Sequence, residues 1–159
     1  MSEAPAKTAA AAPNRRAGKY LTFVLNQEQY GLDIMKVREI LGVLPITPVP
    51  QTPHFVKGVI NLRGKVIPVL DTRLKFGMEE KEHTSETCII VVFDANGVWM
   101  GLIVDTVKEV IDIAEEQIED PPSFGSTIDA SSIRGLGKIG EQVKILLDID
   151  KVLAGLNIG

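Results

Sequence analysis

The chain has 159 residues, of which 45% are hydrophobic, and a formal net charge of −4. This length allows one compact unit or two small lobes that share an interface, but it excludes two large domains. The negative charge provides no general basic surface for phosphate backbones, so the composition argues against nucleic acid as a ligand.

The cysteine content and the lack of a long apolar stretch indicate the cellular compartment of the protein. Cys88 is the only cysteine, which excludes an intramolecular disulfide, and it lies in an apolar run where a thiol is expected to be a buried hydrophobe. No apolar stretch approaches the roughly 20 residues that span a bilayer. We therefore expect a cytosolic, reduced protein without direct membrane insertion.

The start of the chain predicts a flexible tail followed by short strands. Residues 1–18 are rich in Ala, Pro and charge and have no apolar period, so order is expected to begin near Tyr20. Residues 20–25 alternate as a half-buried strand does. The apolar positions of residues 34–41 fit a helical turn as well as a bent strand. We expect one helical turn followed by a strand.

Two hairpins are predicted further along the chain. Four prolines between residues 45 and 53 exclude regular structure there. Residues 59–70 are typical of a hairpin with its turn at Arg63-Gly64-Lys65. Residues 88–104 predict a second hairpin, because the Asn-Gly pair within residues 94–97 favours a tight type I′ turn.

The C-terminal region contains a glycine pattern that resembles a dinucleotide fingerprint. Residues 135–140 read Gly-x-Gly-x-x-Gly, but that site needs a following helix and an acidic residue further on. Residues 143–147 are instead typical of a strand, and 19 residues remain after Gly140. The glycines are therefore expected to form a turn. Asp148 is expected to cap a final helix that runs to about Leu156.

No catalytic or metal-binding pattern is found in the sequence. His54 lies among prolines and His83 lies in a charged run, so neither belongs to a zinc-binding spacing. Catalytic groups can be remote in sequence, but an enzyme hypothesis has no set of residues to support it. We expect a protein without enzymatic activity, cofactor or metal.

An internal repeat is the main feature of the sequence. Residues 31–41 match residues 101–111, and both read Gly-Leu-x-[Ile/Val]-x-x-Val-[Arg/Lys]-Glu-[Ile/Val]-[Leu/Ile]. The copies lie 70 residues apart, Phe55 recurs as Phe124, and each half closes on an aspartate, Asp71 or Asp148. Two similar lobes of short strands indicate small barrels, because closure removes exposed edges.

Two charged side chains are candidates for binding. Arg63 is placed at a hairpin tip before Gly64, where it is either simply solvated or an interface anchor with a planar, two-pronged guanidinium. If Ile40 faces the core, Glu39 projects outward on an apolar surface. An ordinary polar strand face would explain Glu39 equally well, and the sequence leaves both readings open.

These segments resemble the CheW chemotaxis adaptor family. The most specific stretch is residues 55–64, Phe-Val-Lys-Gly-Val-Ile-Asn-Leu-Arg-Gly, with Val-Ile-Pro-Val-Leu-Asp at residues 66–71. Residues 30–40, 101–105 and 135–147 complete a resemblance that extends over about residues 19–156. No kinase catalytic motif, phosphotransfer region or receiver domain accompanies it in the sequence.

The resemblance implies a fold and a function. The implied fold is mainly β, with two SH3-like five-stranded barrels, short helical turns and a C-terminal helix. The lobes are expected at about residues 19–82 with the C-terminal segment, and at about residues 84–145. The implied function is that of a cytoplasmic, non-enzymatic adaptor that joins the cytoplasmic tip of chemoreceptors to the regulatory domain of the histidine kinase CheA.

The resemblance also implies a set of partner-binding residues. They are expected to form contacts on the two lobes, without an assignment of lobe to partner: Val37, Glu39, Gly58, Asn61, Arg63 and Val110. The alternative is a small β-barrel binding module for another protein or ligand outside chemotaxis. A nucleic-acid barrel would need a basic, aromatic face, which 5 Phe, 2 Tyr and 1 Trp in an acidic chain do not favour.

Overall fold

The computed structural model describes residues 16–121 and 132–154. Within them, eleven strands and two short helices follow one another, with 3-10 turns at Ile34–Lys36 and Glu115–Gln117. The strands are β1 (Gly18–Leu25), β2 (Glu28–Asp33), β3 (Val37–Gly42), β4 (Val56–Leu62), β5 (Lys65–Asp71), β6 (Cys88–Phe93), β7 (Trp99–Val104), β8 (Thr106–Ile113), β9 (Ile118–Glu119), β10 (Ile133–Ile139) and β11 (Gln142–Leu147). The helices are α1 (Thr72–Lys75) and α2 (Ile149–Val152).

The strands form two sheets, which define two lobes. The first sheet has six strands in the order β8-β1-β2-β11-β10-β9, and the second has five in the order β3-β6-β7-β5-β4. The prediction of a mainly-β fold with two lobes is confirmed. One lobe has six strands rather than the predicted five, because β9 adds a two-residue strand beside β10.

The predicted division of the chain between the lobes was wrong. The first lobe takes its strands from residues 18–33 and 106–147, and the second from residues 37–104. The chain crosses between lobes twice, because β3 pairs with β6 and β8 pairs with β1. Each half of the sequence therefore supplies its first two strands to one lobe and its remaining strands to the other.

The strand orders support the internal repeat. Reading β3-β6-β7-β5-β4 beside β8-β1-β2-β11-β10 gives the same arrangement, with a parallel pair at the same place in each lobe. Gly31 and Gly101 occupy these parallel pairs. A Cβ on Gly31 would lie 2.8 Å from Leu146, and one on Gly101 would lie 2.9 Å from Ile89. Close packing thus explains why both copies of the repeat begin with glycine.

Buried side chains hold each sheet in a curled shape and join the two lobes. In the second lobe Leu41, on the first strand of the order, packs on a cluster that contains Ile60 from the last strand. The largest buried cluster draws from both sheets, including Phe23 and Leu32 of the first and Leu102 of the second. The lobes therefore share a core, and burial of its apolar area is the main force that keeps them together.

Both ends of the described region differ from the prediction. Arg16 already forms ion pairs with Glu115 and Asp120, and the Tyr20 hydroxyl donates to the Arg16 carbonyl, so defined contacts begin before Tyr20. The final helix α2 is capped by Asp148 as predicted, but it ends at Val152 rather than near residue 156. Residues 1–15, 122–131, which include Phe124, and 155–159 lie outside the described residues.

Candidate partner-binding site

The turn between β4 and β5 holds Arg63 at its tip, as predicted. Leu62 pairs with Lys65, which leaves Arg63 and Gly64 as the two central residues. Both have positive φ, 53° for Arg63 and 88° for Gly64, as a type I′ turn requires. The Asn61 Oδ1 accepts a hydrogen bond of 2.8 Å from the Gly64 N–H. Asn61 therefore stabilises the turn that presents Arg63.

Arg63 forms a two-pronged ion pair with Glu39 on β3. Its Nη1 donates to Glu39 Oε2 at 3.0 Å and its Nη2 donates to Oε1 at 2.5 Å. These hydrogen bonds hold the pKa of the Glu39 carboxyl below its ordinary value, and Glu39 raises the pKa of Arg63. β3 and β4 are the two end strands of this sheet. The ion pair therefore shows that the sheet curls enough to bring its two ends together.

The condition under which Glu39 would project outward, a core-facing Ile40, is not met in the structure. Ile40 is 43% exposed, whereas Glu39 is partly buried beside Arg63. Along β3 the partly buried positions are Val37, Glu39 and Leu41, and the positions between them are exposed. Glu39 and Ile40 therefore lie on opposite faces of β3, with the charged pair on one face and an exposed apolar side chain on the other. Strict alternation from Leu41, which packs on the core, was the signal for this orientation.

Gly58 is buried within β4, so it presents no side chain to a partner. A Cβ at this position would lie 2.1 Å from the carbonyl oxygen of Thr47. Thr47 and Val59 exchange two backbone hydrogen bonds of 2.9 Å, which fix the proline-rich segment against β4. Gly58 therefore allows this close approach, and its effect on a binding surface is exerted through the backbone.

Val37 and Val110 complete the predicted set. Val37 pairs with Val92 and packs against the shared core, so it is partly buried. Val110 lies on β8 in the other lobe and is 48% exposed. In the repeat, Val110 corresponds to Ile40, and the two have similar exposure. The structure thus groups Glu39, Arg63 and Asn61 in one lobe and places Val110 on the equivalent edge strand of the other.

A buried ion pair at the junction of the lobes was missed by the sequence reasoning. Arg73 donates from Nε and Nη2 to Asp105 at 2.8 and 2.9 Å, and their side chains are 13% and 11% exposed. The second Asp105 oxygen also accepts a hydrogen bond of 2.9 Å from the Asn26 N–H in the β1–β2 turn. One feature of the sequence could have indicated this pair: the two copies of the repeat differ here, because the residue equivalent to Asp105 in the first copy is the apolar Met35.

Within residues 16–121 and 132–154, no group of three His, Cys, Asp or Glu side chains could hold a metal ion. In the same part of the chain, no helix has the length and apolarity to cross a membrane.

Comparison with known proteins supplies the family. A model of the CheW-like domain matches residues 19–156. The chain is 40% identical over 136 residues to the chemotaxis protein CheW of Klebsiella aerogenes, covering 86% of this chain and 81% of that protein. It is 33% identical over 149 residues to the chemotaxis protein CheW of Treponema pallidum, covering 90% and 86%.

A solved structure extends the match to the fold. The crystal structure of the scaffolding protein TtCheW from Thermoanaerobacter tengcongensis matches with a TM-score of 0.80 at 40% identity, over 87% of this chain and 94% of that one. The resemblance seen in the sequence and the prediction of a protein without enzymatic activity are therefore confirmed. The chain belongs to the CheW-like domain family and is a non-enzymatic scaffolding and coupling protein of chemotaxis.

Proposed function

We propose that the protein couples the cytoplasmic tip of chemoreceptors to the regulatory domain of CheA and so supports regulation of kinase autophosphorylation. It acts in the cytoplasm and associates with membrane-bound receptor arrays through these partners. The observation that carries the proposal is the two-pronged Glu39–Arg63 ion pair at the tip of the β4–β5 turn. An exposed arginine that is held in a defined direction is the kind of anchor that protein interfaces use.

We further propose that the partner-binding surface has one part on each lobe. Glu39, Arg63 and Ile40 make direct contacts on the second lobe, and Val110 does so on the first. Val37 and Gly58 act from beneath this surface, and the exposed Asn61 acts by holding the turn that presents Arg63. Two separate contact areas suit an adaptor, because modest affinities combine when the contacts are repeated in an array.

The direct test is reconstitution from purified components. The chain is incubated with a receptor cytoplasmic fragment and with CheA, separately and together, and binding and kinase autophosphorylation are measured. We expect binding to each partner, and receptor control of autophosphorylation only when the chain is present. Failure to bind either partner would overturn the proposed function.

Replacing Arg63 with alanine is expected to weaken partner binding by roughly thirtyfold while leaving the melting temperature nearly unchanged. The side chain is 67% exposed, and alanine meets the same positive φ that arginine already adopts. Arg63→Lys should rescue binding only in part, because an ammonium cannot reproduce the two-pronged geometry. Titration of each variant against receptor fragment and kinase domain, with thermal melts, provides the measurement.

A matched control for Arg63 lies on the other lobe. Lys138→Ala also removes the cation of an exposed ion pair, with Glu119, and is expected to leave both affinities unchanged. If Arg63→Ala binds both partners as tightly as the unmodified chain, the site assignment is wrong. A large drop in its melting temperature would instead give Arg63 a structural role.

A further inference from the structure

The turn end of the β6–β7 hairpin carries a cluster of aromatic rings and cations. Phe93 and Trp99 are cross-strand partners there, and both are partly exposed. The Arg38 guanidinium carbon lies 5.1 Å from the Trp99 ring centroid and 5.8 Å from that of Phe93. The Lys65 ammonium lies 4.7 Å from the Trp99 centroid. Two exposed cations are thus held against one indole ring.

Neither of these cations is neutralised by another of the described residues. Across residues 16–121 and 132–154, Arg38 and Lys65 form no ion pair, and their contacts are those with the rings. The neighbouring Lys36 pairs with Asp150 at 3.4 Å. Asp94, the acidic residue of the adjacent turn, accepts hydrogen bonds from backbone N–H groups instead. A positive patch therefore remains on a chain whose net charge is −4.

Two exposed valines neighbour residues of this patch in the sequence. Val66 follows Lys65 and is 65% exposed, and Val98 precedes Trp99 and is 51% exposed. Trp and Arg are also the residue types that most often dominate binding at protein interfaces.

We propose that this patch binds an acidic segment of a protein partner, with a carboxylate placed between Arg38 and Lys65. The guanidinium and the ammonium donate hydrogen bonds to the carboxylate, and aliphatic parts of the same segment cover Val66, Val98 and the indole edge. Stacking on Trp99 holds Arg38 and Lys65 in place, so less side-chain entropy is lost on binding. The identity of the partner rests on the proposed function, since the receptor fragment or the CheA regulatory domain supplies the segment.

The patch can be observed directly, because Trp99 is the only tryptophan in the chain. The full chain labelled with 5-fluorotryptophan should give one ¹⁹F resonance. Unlabelled receptor fragment and CheA regulatory domain are added in separate titrations, with calorimetry in parallel. We expect one of the two proteins to shift the resonance. We also expect its affinity to fall as salt rises from about 0.05 to 0.5 M, because the contact is electrostatic.

Charge removal tests the role of the cations. The double variant Arg38→Gln, Lys65→Gln is expected to bind that partner at least about tenfold more weakly, as for the loss of a charge-assisted hydrogen bond. Lys75→Gln is the matched control, because the Lys75 ammonium lies 4.6 Å from the Phe55 ring centroid in the same lobe. The control is expected to bind normally. Thermal melts of each variant verify that the fold is retained.

Three results would overturn the proposal. If a partner binds by calorimetry while the Trp99 resonance stays unchanged and the double variant binds normally, the patch is not the site and the proposed function stands. If neither partner binds, the proposed function fails and this surface fails with it. If the resonance shifts with the concentration of the chain alone, the occupant is a second copy of the chain rather than an acidic partner.

Discussion

Replacing Gly58 with alanine is expected to lower the free energy of unfolding by about 3 kcal/mol. Gly58 has a φ of +143°, which side-chain-bearing residues rarely adopt, and it lies at an irregular position of β4. The added Cβ would lie 2.1 Å from the Thr47 oxygen and 2.7 Å from its carbonyl carbon. Because the collision is with backbone, no change of rotamer relieves it. The hydrogen bonds between Thr47 and Val59 must stretch or break instead.

Gly64→Ala is the matched control for this prediction. Gly64 also has a positive φ, 88°, but a Cβ there would meet nothing within 4 Å. Gly64→Ala is therefore expected to lower the free energy of unfolding only through backbone strain, by about 1 kcal/mol. Urea denaturation of both variants measures the difference. Equal losses at the two positions would show that contact with Thr47 does not decide the stability of this segment.

Gly58→Ala is also expected to weaken partner binding. Gly58 and Arg63 lie on the same β4–β5 hairpin, so a displaced β4 changes where the turn presents the guanidinium. The binding assay is performed at a temperature where denaturation data show the variant to be folded. Normal affinity of the folded variant would separate Gly58 from the binding surface.

Replacing Asp105 with asparagine is expected to lower the free energy of unfolding by about 3 kcal/mol at neutral pH. Arg73 and Asp105 are 13% and 11% exposed, so the variant leaves a largely buried guanidinium without its anion. The change affects both lobes, because Asp105 also accepts the Asn26 N–H of the first lobe while Arg73 belongs to α1 of the second. Chemical denaturation at neutral pH measures the loss.

The same pair predicts a dependence of stability on pH. Burial raises the pKa of Asp105, but the Arg73 guanidinium and the Asn26 N–H outweigh it and hold the pKa below its ordinary value. A carboxyl with a lowered pKa in the folded state contributes stability above its unfolded pKa. That contribution is lost as the pH falls through the lowered folded value. The unmodified chain should therefore lose more stability than Asp105→Asn between about pH 7 and pH 3.

Comparing the unmodified chain with Asp105→Asn at each pH cancels the contributions of the other titrating carboxyls to stability. Asp71, whose pKa is raised by burial, is one of these carboxyls. Asp112→Asn is the control variant, because it removes an acid from an exposed pair with Lys19. It is expected to follow the unmodified chain closely at every pH. Parallel curves for Asp105→Asn and the unmodified chain would contradict the assigned role of the Arg73 pair.

Local features of this protein could be predicted from the sequence, because they depend on neighbouring residues. The turn at Arg63-Gly64 follows from a two-residue loop that needs positive φ, and the 3-10 turn before β3 follows from the apolar spacing of residues 34–41. The cap at Asp148 has the same local origin. The repeat also predicted that the two halves of the chain are structurally equivalent, and the strand orders of the two sheets support this.

Tertiary structure alone decided which strands pair and which side chains meet. The repeat indicates that β3 and β8 are equivalent strands. It does not indicate that β3 pairs with β6 of the second half and β8 with β1 of the first half. Glu39 meets Arg63 across 24 residues and Arg73 meets Asp105 across 32, distances at which sequence patterns carry no pairing information. These contacts depend on how the sheets curl and share a core, and burial over the whole chain determines that arrangement.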